Sequence, residues 1–349
     1  MNISGLDTPA LLIDLDRVEK NLRRWQEFCD RTGVRNRPHI KTHKIPELAR
    51  MQVEYGAVGI TCQKLGEAEA MADAGLGDIF LTYNIVGEAK LERLRALHRR
   101  VRLRVVADGP EVVEGLEAAA SKGERPLEVS VECDTGMHRC GVQSPQDAAE
   151  LADFIRSRDH LLFSEFSTYP TTAAASAFME EVEALCKKRG LEIPEISGGG
   201  TPGMWRLPPY RVFTEHRAGT YIFNDRITVA AEDAAWADCA SSVLVSVVSI
   251  SGPDWVTVDG GTKTFSSDQY GQSGFGVLWN DPRSMLTRCS EEHGVLQSAG
   301  AKPGFALGQK LRVIPNHACI VSNLHDWAYA VRGESVVAQW RIAARGKLQ

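Results

Sequence analysis

Between residues 34 and 223 the chain alternates two kinds of segment, and this alternation limits its fold more than any other feature. Short apolar runs rich in β-branched residues recur at Val34–Lys41, Val58–Cys62, Ile79–Thr82, Leu103–Val106, Leu127–Glu132, Leu161–Phe166, Pro194–Ser197 and Ala218–Phe223. Each fits a buried strand. Between them lie EAEAMADAGL (67–76), AKLERLRALHRR (89–100), PEVVEGLEAAASKG (110–123), PQDAAELADFIRSR (145–158) and AFMEEVEALCKKRG (177–190). Their apolar residues fall three and four apart and several end near Gly, as helices do. Strands alternating with helices eight times over roughly 200 residues describe an α/β (β/α)8 TIM barrel, although a doubly wound sheet shares the alternation. After Asp238 the rhythm changes. SSVLVSVVSISG, DWVTVDGG, QKLRVIPNHACIVSN, WAYAVRG and ESVVAQWRIAARG are β-rich runs between Gly, Asp and Pro turns, which predicts an antiparallel β-domain. The expected division is a barrel over residues 11–238 and a β-domain over 239–349 joined by residues 1–10. The run PALLIDLDRVEKNLRRWQEF supplies an early strand and helix outside the barrel proper.

Charge narrows the function. A net charge of -5 gives neither nucleic acid nor an anionic membrane surface a reason to bind, so a small-molecule partner is expected. No stretch reaches the roughly 20 apolar residues of a membrane span. The start, MNISGLDTPALLIDLD, has acidic residues inside its apolar run and no basic leader, unlike a secretion signal. The eight cysteines, Cys29, Cys62, Cys133, Cys140, Cys186, Cys239, Cys289 and Cys319, form no CxxC pair, which predicts reduced thiols and a cytoplasmic location.

Three segments can carry chemistry. RPHIKTHK (37–44) places Lys41 at the end of the first proposed strand, where barrel enzymes gather their functional groups. Desolvation and the cationic neighbours Arg37, His39, His43 and Lys44 favour a neutral, nucleophilic amine, while a solvated basic loop explains the octapeptide equally well. ISGGGTPG (196–203) follows a short apolar run. Its glycines let backbone N–H groups approach a phosphate, and Thr201 adds a hydroxyl donor. It matches neither dinucleotide nor P-loop fingerprints, and a plain flexible turn is the competing reading. In IPNHACIVSNLHD (314–326), His317 and Cys319 stand two apart on an apparent strand and so share a face. Imidazole plus thiolate suits Zn²⁺ best among common divalent ions, with two ligands leaving positions open for water or substrate. A buried thiol beside a core histidine is the alternative. Taken together, a reactive lysine, a phosphate loop and an open metal point to pyridoxal 5'-phosphate with a divalent ion.

These segments resemble the fold-type III pyridoxal-phosphate enzymes of the D-threonine aldolase and D-serine dehydratase group, relatives of alanine racemase. TPALLIDLDRVEKNL (8–22) is similar to the family's opening, RPHIKTHK to its cofactor-lysine motif, and VECDTGMHRCGV (131–142) to its Asp-x-Gly and Arg-x-Gly-Val segment. ISGGGTPG is similar to its phosphate loop, apart from the inserted Pro202. EHRAGTYIFND (215–225), VDGGTKTFSSD (258–268), SEEHG (290–294) and PNHAC (315–319) complete the series. The resemblance implies that Lys41 holds the cofactor and then acts as base at the substrate's α-carbon. It places Gly198, Gly199, Gly200 and Thr201 around the phosphate with Tyr221 near it, and His39 and Arg139 beside the cofactor. It also implies that His317 and Cys319 bind a divalent metal, zinc or another ion such as manganese, that grips a β-hydroxyl. It further implies a D-amino acid substrate and a homodimer with sites at the interface. The HxC pair is similar to the dehydratase branch, whereas aldolases resemble one another in an HxD pair and in a base histidine after the sixth strand. Here that stretch reads SEFSTYPTTAAAS, without histidine. A D-3-hydroxy amino acid dehydratase is therefore favoured over an aldolase. A racemase or a non-catalytic cofactor-binding protein is the alternative of another class.

Overall fold

A computed structural model of the chain describes residues 1–298 and 304–349. Strand β1 (Ala10–Asp14) and helix α1 (Leu15–Thr32) come first. Eight short strands follow: β2 (Arg35–Asn36), β3 (Ile60–Cys62), β4 (Asp78–Leu81), β5 (Arg102–Ala107), β6 (Leu127–Cys133), β7 (Leu161–Thr168), β8 (Ile196–Gly199) and β9 (Glu215–Arg217). The helices between them are α2 (Pro46–Glu54), α3 (Leu65–Asp73), α4 (Glu88–His98), α5 (Pro110–Ala120), α6 (Pro145–Arg156) and α7 (Ala173–Arg189). Local chemistry sets their ends. The Ser144 hydroxyl accepts the Asp147 N–H ahead of α6, with Pro145 as its first residue, and Gly190 closes α7 at φ 67°, left-handed backbone that favours glycine.

The chain divides into two compact units, one of Gln26–Lys41, Leu48–Gly219 and Lys347–Gln349, the other of Met1–Trp25, Thr42–Glu47 and Thr220–Gly346. In the first, the eight strands pair in parallel in the order β2-β9-β8-β7-β6-β5-β4-β3. The two ends of that series also meet. Val58 N–H donates to Asn36 O at 2.9 Å, Thr61 N–H to Pro38 O at 2.8 Å, and His39 bridges Thr61 in parallel. The sheet is thus a closed barrel, the expected fold rather than a doubly wound sheet.

Alternate residues of the strands point into the barrel, and several are charged. β5 and β7 are not neighbours in the sheet, yet Arg104 reaches Glu165 across it, with Glu215 Oε2 of β9 3.8 Å from Arg104 Nη1. Arg37 Nε donates to Glu215 Oε2 at 2.7 Å and its Nη1 pairs with Asp78. Burial pushes the Glu165 carboxyl up to about 7, whereas Arg37 and Arg104 hold Glu215 below the usual carboxylate range despite its own burial.

Two expected strands differ in extent. The segment Val34–Lys41 keeps regular pairing only at β2, because Pro38 has no N–H to donate. It continues as a hydrogen-bonded edge through Arg37 N–H to His216 O at 3.0 Å and His39 N–H to Ala218 O at 2.9 Å, and Lys41 lies beyond it in a 3₁₀ turn, Ile40–Thr42. The expected strand Ala218–Phe223 is displaced to β9, where Glu215 and Arg217 face the buried ions; its apolar part forms the 3₁₀ turn Thr220–Ile222 instead.

In the second unit, β10 (Ser241–Ser249), β11 (Trp255–Val258), β12 (Gly276–Leu278), β13 (Met285–Cys289), β14 (Gly294–Gln297), β15 (Lys310–Pro315), β16 (Trp327–Arg332) and β17 (Ser335–Arg341) join β1 in one sheet, ordered β11-β14-β13-β12-β15-β10-β1-β16-β17. An added β10–β11 pairing closes six of these strands into a ring. All pairs are antiparallel except β1 with β16. Short helices α8 (Arg226–Ala230), α9 (Thr262–Phe265) and α10 (Ala318–Leu324) complete it. Among the described residues no helix is long and apolar enough to cross a membrane.

The buried charges make a stability prediction. Arg37→Met strands Glu215 without its closest cation, and should lower unfolding free energy by about 3–5 kcal/mol. Arg102→Met, which removes a half-exposed pair with Glu128, should change it by less than about 1 kcal/mol. Urea titration followed by circular dichroism measures both; equal midpoints for the two variants would contradict the assignment.

Candidate functional site

Lys41 is half-buried in the turn that follows the closing edge of the barrel. Its backbone N–H points to His39 Nδ1 at 3.4 Å. Burial, then the neighbouring Lys41 charge and those of Arg217 and Arg139, push His39 well below the ordinary histidine value. Burial and three nearby positive charges thus both favour the neutral ring.

The phosphate-loop glycines leave β8 at the same end of the barrel. A Cβ on Gly198 would stand 2.3 Å from Thr171 Oγ1 and 3.1 Å from the Phe213 ring; one on Gly199 would meet Arg217 Nη2 at 3.3 Å; one on Gly200, whose φ is 117°, would meet the Tyr169 ring at 3.3 Å. Only glycine admits all of these close approaches. His216 Nε2 donates to Gly200 O at 2.7 Å, and Thr201 Oγ1 accepts the Gly219 N–H at 3.2 Å. Pro202 lies after these contacts and does not interrupt them.

Arg139 lies 5.4 Å from the Tyr169 ring centroid and 3.8 Å from Glu132. Arg217 Nη2 donates to Thr168 O at 2.9 Å, and its Nη1 to Ser197 Oγ. Burial raises the Glu132 carboxyl, opposed by Arg139 and Arg217. The structure thus gathers His39, Lys41, Arg139 and the Gly198–Thr201 loop at the C-terminal ends of the strands. It adds Arg217, Glu132 and Gln63, which sequence reading passed over. The charged alternation in Glu215-His216-Arg217 was the available signal, since a strand with charged inward residues escapes a search for apolar runs. These donors suit an anionic cofactor that carries an aldehyde: a cradle open only to glycine, a hydroxyl, and cations beside a lysine.

The second unit holds the remaining expected residues. Tyr221 is buried with its ring 5.9 Å from that of Trp25. His317 and Cys319 do not lie on a strand, which corrects the expectation that they share a strand face. β15 ends at Pro315, His317 is the N-cap residue of α10, and Cys319 sits in its first turn. Asp225 is the reason. Its Oδ2 accepts from the Ala318 N–H and from His317 Nδ1, both at 2.9 Å, while Oδ1 caps α8 through the Thr228 N–H at 3.0 Å. One carboxylate therefore starts two helices and aims the imidazole. Burial disfavours the imidazolium, but the Cys319 sulfur and Asp225 beside it raise His317 to about 10.

Cys319 Sγ lies 3.2 Å from Thr42 Oγ1 and 3.6 Å from Thr220 Oγ1, and the Tyr270 ring stands edge-on to His317 at 5.0 Å. Lys44 Nζ donates to Asn323 Oδ1 of α10 at 3.0 Å. Among the described residues no three His, Cys, Asp or Glu side chains form a ready cage for a metal ion. His317 and Cys319 still fit an open metal site, since the Asp225 hydrogen bond occupies Nδ1 and would leave Nε2 as the ligand nitrogen beside the Cys319 sulfur.

Comparison with known proteins agrees with this architecture. Residues 13–226 match the alanine racemase N-terminal domain and residues 240–331 a putative serine dehydratase domain. The chain is 32% identical to 3-hydroxy-D-aspartate aldolase of Paracoccus denitrificans, covering 99% of this chain and 94% of that protein. The crystal structure of D-threonine aldolase from Filomicrobium marinum superposes with a TM-score of 0.92 at 30% identity, over 99% of this chain and 97% of the other. That of D-threo-3-hydroxyaspartate dehydratase from Delftia sp. HT23 gives 0.86 at 31% identity, over 97% and 98%, and a variant of that dehydratase has been solved in a metal-free form. The chain belongs to the D-threonine aldolase and D-serine dehydratase family of fold-type III pyridoxal-phosphate enzymes, whose members are lyases.

Proposed function

We propose that this protein is a D-3-hydroxy amino acid dehydratase, converting its substrate to a 2-oxo acid and ammonia with pyridoxal phosphate and a divalent metal, zinc being the ion its donors suit best. The observation that carries the reading is the imidazole–thiol pair of His317 and Cys319, aimed by Asp225 and touched by Thr42, the residue that follows Lys41 in the chain. When bound, the cofactor supplies a conjugated sink for electron density released at the α-carbon, and the metal a Lewis acid for the β-hydroxyl.

The protein's own groups do the rest. Lys41 anchors the cofactor and then takes the α-proton on Nζ. Gly198, Gly199, Gly200 and Thr201 would hold the phosphate, and Arg139 and His39 would hold the rest of the cofactor. Asp225 holds the proton of His317 on Nδ1, so that Nε2 would be the atom available to a metal ion. Retro-aldol cleavage also needs a base for the β-hydroxyl, and residues 169–172 after β7 offer Tyr169, Thr171 and Thr172 but no histidine, which favours elimination. The aldolases among the relatives keep cleavage to glycine and an aldehyde as the second reading. The proposal extends to a cytoplasmic homodimer.

Three measurements test it. Incubation with D-serine, D-threonine and D-threo-3-hydroxyaspartate should yield 2-oxo acid and ammonia, abolished by a chelator and restored by Zn²⁺ or Mn²⁺; glycine with an aldehyde as the main products would show an aldolase. Lys41→Ala should lose the absorbance band of the lysine-bound cofactor and lower kcat by about 10²–10⁴-fold, the scale of a lost general base; a band that persists unchanged would remove the lysine from its role. Asp225→Asn keeps an acceptor for the α8 cap but weakens the hold on His317, and should cost about 10–100-fold in metal affinity, read by titration of the chelated protein with Zn²⁺; wild-type affinity would count against the metal assignment.

A further inference from the structure

Gln63 lies between β3 and α3, outside every motif discussed above, and its side chain has a determined orientation. Its Nε2 is 2.7 Å from Thr82 O, a carbonyl that can only accept, so the amide NH₂ group must face it. The Oε1 atom is thereby turned toward His39, 3.1 Å from Nε2. An amide oxygen can only accept, so His39 Nε2 carries a proton. On the other side of the ring, Nδ1 faces the Lys41 backbone N–H, a donor, so Nδ1 carries none. One hydrogen-bond chain, Thr82 O to Gln63 to His39 to Lys41, thus selects a single tautomer. The Gln63 backbone is held as well, its N–H donating to Glu67 Oε2 at 2.7 Å. The charges that disfavour a second proton on the ring are those of Lys41, Arg217 and Arg139.

We propose that Gln63 is a positioning residue. It holds His39 as the neutral Nε2–H imidazole, whose bare Nδ1 anchors the turn carrying Lys41 and which keeps a fourth positive charge from the group of Lys41, Arg139 and Arg217. The significance of that turn rests on the reading of Lys41 as the cofactor lysine; the tautomer does not. A protonated His39 would set an Nδ1–H against the Lys41 N–H and release the turn. Gln63→Glu replaces the neutral acceptor with a carboxylate, which stabilises an imidazolium, while Gln63→Met keeps the length and removes the acceptor.

The test uses cofactor-free protein labelled with ¹⁵N-histidine, the His39 signal being identified by its loss in His39→Gln. Wild type should show the Nε2–H tautomer throughout the range from about pH 5 to 8. Gln63→Glu should raise the His39 midpoint by about one unit or more, tenfold in the protonation ratio, and Gln63→Met should yield a mixture of tautomers. An Nδ1–H or charged ring in the wild type, or an unaltered His39 in a folded Gln63→Glu or Gln63→Met, would overturn the proposal. In reconstituted protein the pH profile of cofactor absorbance should move with the His39 midpoint in Gln63→Glu. If Lys41→Ala keeps a normal cofactor band while the NMR results stand, the lysine reading fails and the tautomer assignment survives.

Discussion

The barrel depends on how residues 35–39 are held on both sides. On one side Arg37 and His39 donate their backbone N–H groups to His216 and Ala218; on the other Asn36 and Pro38 accept from Val58 and Thr61. Pro38 sits where the chain needs an acceptor and no donor, so it completes a sheet that a mid-strand proline would ordinarily disrupt. Without these bonds the eight strands would form an open sheet with exposed edges, and the turn bearing Lys41 would lose the paired strand that leads into it.

Inside that cylinder the protein buries charge. Glu165, Glu215 and Arg37 are nearly inaccessible to water. Their attraction must offset a large desolvation cost, which makes the group a poor source of net stability and a strict demand on geometry. The same stack extends upward to Arg217, whose guanidinium binds Ser197 and Thr168 and passes close to Gly199. The charged layer and the glycine loop are therefore adjoining parts of one arrangement, and a side chain at Gly199 would crowd the Arg217 guanidinium at 3.3 Å.

What could be read in advance followed from periodicity. The helices α3 to α7 announced themselves through apolar spacing and came within a few residues of their expected limits. Lys41, the glycine loop and the HxC pair were visible because their residue types are rare in such combinations. Other features were hidden for definite physical reasons. β9 carries inward charges, so the apolar stretch beside it imitates the strand in the sequence. His317 and Cys319 follow a genuine strand, and only the distant Asp225, by capping α10, turns that continuation into a helix. The helix α2 begins directly after the basic octapeptide and was obscured by it. Gln63 matters through two hydrogen bonds to residues far from it in the chain, and no local pattern encodes these.

One of the boundaries between the two compact units falls within RPHIKTHK, between Lys41 and Thr42. Thr42 touches the Cys319 sulfur and Lys44 holds Asn323 of the same helix, while Lys41 belongs to the barrel turn. A single trans peptide, about 3.8 Å from Cα to Cα, is all the chain that lies between a residue of the lysine's turn and a residue in contact with the thiol. An insertion of even one residue here would interrupt the Ile40–Thr42 turn itself, the backbone that Lys41 and Thr42 share.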